Sequence, residues 1–212
     1  VRFIDIDEIL DEHIGVAPVD FVYEGETYTP ETFRDYLGID PYSYINITSF
    51  THHPFGKKFI LEIPDNFSRG EFFNVPIDEM QRVVEGALSA GYTVAWDADV
   101  SEKGFSFSHG VALLPAKGEE EKLWKEEIVE EVVTQESRQI GFENQTTTDD
   151  HLMHITGLAT DQSGNKYFII KNSWGQNNPY GGHQYISMAY FRAKTIAILV
   201  NNEAVVRAFQ GK

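Results

Sequence analysis

The stretch that most constrains this chain is residues 149–175, which opens Asp149-Asp150-His151 and closes Lys171-Asn172-Ser173-Trp174-Gly175. Residues 152–160 and 166–172 are two apolar, β-prone runs. Between them Asp161-Gln162-Ser163-Gly164-Asn165 is turn chemistry, with Gly164 free to take positive φ. The pattern predicts a β-hairpin. A hairpin brings the start of its first strand close to the end of its second, so His151 and Asn172 are expected neighbours, although the sequence leaves the register open. Side chains alternate along a strand, so His151 and His154 point to opposite faces and only one of them can line a given cleft.

A histidine beside an asparagine is a chemically useful pair. The amide oxygen accepts one ring N–H and so sets the tautomer and aim of the imidazole, which leaves the other ring nitrogen to take a proton from a nucleophile. Trp174 shares the parity of Asn172 if the strand runs on, and its indole would shield the His–Asn bond from water. A zinc hydrolase built on His151 and His154 is disfavoured by their opposite parity and by the lack of a third ligand. His52-His53 precedes Pro54 in a loop, with no second pair at ligand spacing, so no metal is expected there. No phosphate-binding glycine loop is present in the sequence, and no cofactor is expected.

The 212 residues contain no cysteine, which excludes disulfides, a thiolate metal site and a thiol nucleophile within the chain. That length suits one large domain or the greater part of two lobes. An apolar content of 42% and an aromatic content of 13% are enough for a real core. The formal net charge of −16 argues against nucleic acid and anionic membrane surfaces as partners, and is compatible with basic or neutral peptides. No apolar run approaches the roughly 20 residues of a membrane span.

Taken in order, residues 1–40 read as a mixed, partly helical opening segment. Thr29 is the N-cap and Pro30 the first residue of a short helix that Gly38 ends. Residues 42–50 and 58–63 read as strands. Met80, Val83, Val84 and Leu88 form an apolar stripe on a helix that Gly91 closes, and residues 92–100 follow as a strand. Asp97 and Asp99, on one face of that strand, are expected to be solvated strand-end acids. Residues 101–117 look irregular. Residues 118–133 have the pattern of an acidic helix docked by Trp124, Ile128 and Val132. Residues 185–188 and 195–200 read as strands, with a short helix or tail from Glu203.

Asp150-His151, Gly157 six residues beyond the histidine, the hairpin and then Lys171-Asn172-Ser173-Trp174-Gly175 together resemble the histidine and asparagine blocks of papain-like cysteine peptidases. Asn74-Val75-Pro76-Ile77-Asp78 before a helix, and a following strand that ends in aspartate, resemble the branch containing bleomycin hydrolase and aminopeptidase C. The resemblance implies an α+β papain-like fold. Residues 1–40 would be the end of the helical lobe, and residues 41–212 the β-rich lobe, antiparallel with flanking helices. It implies that His151 and Asn172 are catalytic, supported by Trp174 and Asp150. It also implies a peptide substrate and a partner lobe, upstream of this chain, that bears the Cys nucleophile and the oxyanion glutamine. A homo-oligomer is compatible with it. The chain alone is then expected to be inactive. Only about a dozen residues follow the last predicted strand, so the long tail that restricts that branch to aminopeptidase action is not matched. The competing reading is a papain-like module that binds peptides or a partner without cleaving them.

Overall fold

The computed structural model describes residues 3–210, which divide into two units at Tyr42. The first begins with helix α1 (Phe3–Ile14) and an antiparallel hairpin of β1 (Phe21–Tyr23) and β2 (Glu26–Tyr28). Glu24 and Gly25 both take positive φ, 51° and 89°, which gives a two-residue turn the twist its strands need. Thr29 caps α2 (Pro30–Tyr36) as its sequence predicts. Its hydroxyl accepts the Thr32 N–H at 3.2 Å, and the Thr32 hydroxyl accepts the Thr29 N–H at 2.9 Å. The Phe33 ring meets Phe21, Tyr23 and Tyr28 edge-on, at centroid distances of 5.1, 5.1 and 5.4 Å. Aromatic contacts hold the hairpin and α2 together, for no residue of α2 is fully buried.

The second unit is organised by a ten-stranded sheet. In chain order its strands are β3 (Tyr44–Thr48), β4 (Lys58–Ile60), β5 (Glu71–Asn74), β6 (Val94–Ala98), β7 (Phe105–Ser106), β8 (Val111–Ala112), β9 (His151–Thr160), β10 (Lys166–Lys171), β11 (His183–Ser187) and β12 (Thr195–Asn201). Across the sheet the order is β4-β5-β3-β12-β6-β9-β10-β11-β8-β7. The β3–β5 and β8–β11 pairs are parallel and the rest antiparallel. The predicted apolar stripe lies on α3 (Ile77–Ser89), where Met80, Val83, Val84 and Ala87 are buried. They pack with Trp96, Ile155, Phe168, Ile170 and Ile198 from the sheet, each side chain contributing about 1.5–3 kcal/mol for a large aliphatic or aromatic group. Helix α4 (Gln135–Glu143) follows, then α5 (Met188–Lys194), which interrupts the chain between β11 and β12, and α6 (Asn202–Gln210), which packs on α3.

The acidic helix expected over residues 118–133 does not form. A single 3-10 turn covers Glu120–Lys122, and Trp124 takes φ +67°, outside the range of a right-handed helix. The chain then runs extended, bridging Pro115 to Glu130. The Glu130 carboxylate accepts the Leu114 N–H and the Ser187 hydroxyl, both at 2.6 Å. Leu123 is the residue buried here, and Val132 is 90% exposed, so the helix-spaced Trp124, Ile128 and Val132 do not dock together. Asp97 and Asp99 also differ from the expected solvated acids. Asp99 is buried, 3.4 Å from the Lys194 ammonium, which also bonds Glu102 and the Thr146 carbonyl. Asp97 is half-buried and shares a hydrogen bond with Asp149.

Candidate active site

The hairpin is β9 and β10, and its register is not uniform. From the tip, Lys166 pairs with Thr160 and Ile169 with Gly157; then Ile170 pairs with Ile155 and Lys171 with His154. Thr156 is the extra residue, a β-bulge, and its hydroxyl donates to the Ile169 carbonyl at 3.3 Å. Residues paired across a ladder share a face, so the bulge decides which histidine meets Asn172. With it, Asn172 continues the core face of Ile170 and Phe168, and His151 lies on that same face beyond Met153 and Ile155. Without it, Asn172 would fall opposite His154. His154 is exposed on the other face, paired with Lys171.

The His151 Nε2 stands 3.0 Å from the Asn172 Oδ1. That oxygen has no hydrogen to give, so Nε2 carries the ring proton and Nδ1 keeps its lone pair free. Asn172 is 3% exposed, and its side-chain amide donates to the Gln184 Oε1 at 2.8 Å and weakly to the Met153 sulfur at 3.8 Å. Its backbone N–H donates to the Gly182 carbonyl at 3.0 Å, which ties the end of the hairpin to the loop before β11. Trp174 stacks on the imidazole, centroids 5.0 Å apart and planes 14° apart, while Phe105 and Phe107 meet the indole edge-on. Asp150 adjoins the pair in sequence, but its hydrogen bonds go elsewhere. The carboxylate accepts the Thr148 hydroxyl and the Val100 and Ser101 N–H groups, stapling the turn after β6 to the start of β9. Burial works to raise the Asp150 carboxyl, but these bonds outweigh it and hold it below its ordinary value.

The sequence model of the Peptidase C1-like family matches residues 20–211. The chain belongs to that family. PepW from Lactobacillus rhamnosis HN001 is similar in structure, with a TM-score of 0.72 at 19% identity. The likeness covers 98% of this chain and 48% of PepW, so the chain spans about half the length of that protein. The bromelain protease from Ananas comosus (TM-score 0.34, 15% identity, 58% of this chain and 45% of that one) shows a lesser likeness. So does SERA5E from Plasmodium falciparum (TM-score 0.38, 15% identity, 77% and 47%). No curated protein matches the chain in sequence. The α+β papain-like fold expected from the sequence is the fold found.

In this C1-like chain two further clusters of ionisable groups stand out, one beside β9 and one at the β4 edge of the sheet. Burial pushes the Asp97 carboxyl up to about 8, and the neighbouring Asp149 charge adds to the effect; Asp149 is raised too, again first by burial. Asp97 is in register with Leu152, one residue after His151. At the sheet edge, Glu62 faces both loop histidines, 3.1 Å from the His52 Nε2 and 2.9 Å from the His53 Nε2. These residues have the composition of a three-ligand metal set. The surrounding bonds oppose a metal at His52. The Gln139 Oε1 accepts the Thr51 N–H at 2.6 Å, so its amide hydrogens face Glu143 and the His52 Nδ1, at 2.9 and 3.1 Å. The His52 Nδ1 therefore accepts, and Nε2 must keep its hydrogen for Glu62 rather than a lone pair for a cation. Gln184, Gly182 and the Thr156 bulge are contributors that the sequence reading did not single out. A polar Gln184 inside an apolar strand was the available signal.

Proposed function

We propose that this chain is the histidine- and asparagine-bearing part of a papain-like cysteine peptidase whose nucleophile is supplied by residues outside these 212. The observation that carries the reading is the 3.0 Å contact of the His151 Nε2 with the Asn172 Oδ1 beneath the Trp174 indole, in a C1-like chain without cysteine. In this reading a thiol gives its proton to the His151 Nδ1 as the thiolate attacks the peptide carbonyl. The imidazolium, held through Nε2–H by Asn172, returns that proton to the leaving amine, and water then releases the acyl group. Trp174 excludes water from the His–Asn bond, and Asp150 fixes the turn from which β9 begins. Residues 3–42 are the end of the helical lobe, and residues 43–210 the β-rich lobe. The substrate is a peptide; cleavage from the amino end, as in the aminopeptidase C and bleomycin hydrolase branch, is the finer form of the proposal.

The chain alone is inactive on peptides. Adding the region that carries the Cys nucleophile, covalently or in trans, produces hydrolysis that needs a free thiol, is blocked by alkylation and falls by about 10²–10⁴-fold in His151→Ala. Hydrolysis by the purified 212-residue chain that is insensitive to thiol reagents overturns the mechanism. The lack of a cysteine also favours a second reading, a papain-like module that binds peptides without cleaving them. Peptide binding in the assembled protein without turnover selects it.

A further inference from the structure

Gln184 is fully buried on β11, on the core face, in register with Ile170 and two residues from Ile186. Its Oε1 accepts the Asn172 side-chain amide at 2.8 Å, and its own Nε2 is buried with no hydrogen-bond partner. An aliphatic side chain would sit among Ile170, Ile186 and Met153 without leaving amide hydrogens unbonded, so packing alone does not explain a glutamine there. What it changes is Asn172. The two ends of an asparagine amide are nearly the same shape, and only their partners decide which end points where. Gln184, placed with its Oε1 turned inward, presents an acceptor to one end, and the Met153 sulfur beside it is an acceptor too. That end must be Nδ2, and Oδ1 is therefore turned to the imidazole. The reverse orientation would set two amide groups donor to donor, and would meet the His151 Nε2 with N–H. The imidazole would then have to carry its proton on Nδ1, the nitrogen that must be free to accept one.

We infer that Gln184 is the positioning residue of this site: by holding the Asn172 amide in one orientation it fixes His151 as the Nε2–H tautomer. The inference rests on the proposed His151–Asn172 site, but its test needs no hydrolysis. Nitrogen-15 spectra of histidine-labelled 212-residue chain, at a pH where His151 is neutral, report the tautomer directly. The wild type shows the Nε2–H form alone. In Gln184→Met, close in size and without a carbonyl, that purity is lost and Nδ1–H signal appears, as it does in Asn172→Ala, while the melting temperature is unchanged or higher. Gln184→Glu keeps an oxygen facing Asn172 and keeps the single tautomer. A variant-free measurement stands beside these: in the wild type the Asn172 Nδ2 hydrogens exchange slowly with solvent. A pure Nε2–H form that persists in Gln184→Met overturns the role of Gln184 alone, as do freely exchanging Asn172 amide hydrogens. A wild type whose His151 is already a tautomer mixture overturns the proposed site itself.

Discussion

Asp97→Asn tests the electrostatics beside the site. Asp97 and Asp149 share one hydrogen bond, and the charges facing them from the neighbouring segments are Asp65 and Asp150, both acids. The pair is therefore held together by a proton. Asp97 has an ordinary value of 3.8 and a folded value of about 8, so across that interval the native chain binds a proton that the unfolded chain has released. Stability is full below the ordinary value, falls as pH rises through the window and levels off above it. The limiting slope is about 1.4 kcal/mol per pH unit. Asp97 is partly open to solvent, and salt and relaxation weaken the repulsion, so we expect about 2 kcal/mol to be lost between roughly pH 4 and 8. Asparagine donates to Asp149 at any pH and cannot ionise. Urea unfolding of both proteins across that range isolates the behaviour of the Asp97–Asp149 pair, because titrating groups away from it cancel in the difference. The two should match near pH 4, and Asp97→Asn should be the more stable by about 2 kcal/mol near pH 9. Parallel pH curves, or a wild type that gains on the variant as pH rises, would refute the shared proton.

Two other substitutions probe the site's supports. Trp174 is 47% exposed, so Trp174→Ala should cost only about 1 kcal/mol of stability, yet lower turnover of the assembled enzyme by about tenfold or more; matched losses in both would make it a packing residue only. At Gly182, φ is +87° and an added Cβ would fall 2.4 Å from the Gly175 carbonyl and 2.5 Å from the Lys171 Nζ, whereas Gly164 has φ +90° with open space around it. Gly164→Ala should therefore cost the backbone penalty of about 1–2 kcal/mol, and Gly182→Ala clearly more, with Asn172 displaced as well; equal costs in denaturant unfolding would count against the close approach.

The sequence disclosed the hairpin, the α3 stripe and the Thr29 cap because each is written in neighbouring residues. Alternation, helical spacing and a capping side chain act over a few positions. The acidic segment misled for the same reason. Trp124, Ile128 and Val132 have helical spacing, but Glu130 finds Leu114 and Ser187, and those long-range bonds override local pattern. Helix α4 was overlooked although Thr134 and Ser137 cap each other, a signal weakened by serine standing where glutamate or glutamine is usual. Its Arg138 is fully buried over the Phe50 ring, its guanidinium pulled down to about 9 by desolvation, which nothing in the surrounding sequence announces. Strand parity did place His151 and His154 on opposite faces. It could not say which of them Asn172 would meet, since that depended on a bulge five residues beyond His151 in β9.

That bulge divides the hairpin into two regimes of tolerance to length change. At the tip, Asp161–Asn165, residues can be added or removed in any number, because the strands above are already committed. Between Thr156 and His151 the chain behaves like a reading frame of two. Inserting one residue there presents the imidazole to the solvent face and inserting two restores its side, whereas forcing Thr156 itself into the ladder hands Asn172 to His154. The paired part of the segment is thus guarded against single insertions and deletions by geometry alone, whatever residues occupy it, and a relative with a hairpin of different length should differ at the tip, by the bulge residue itself, or by an even number below it.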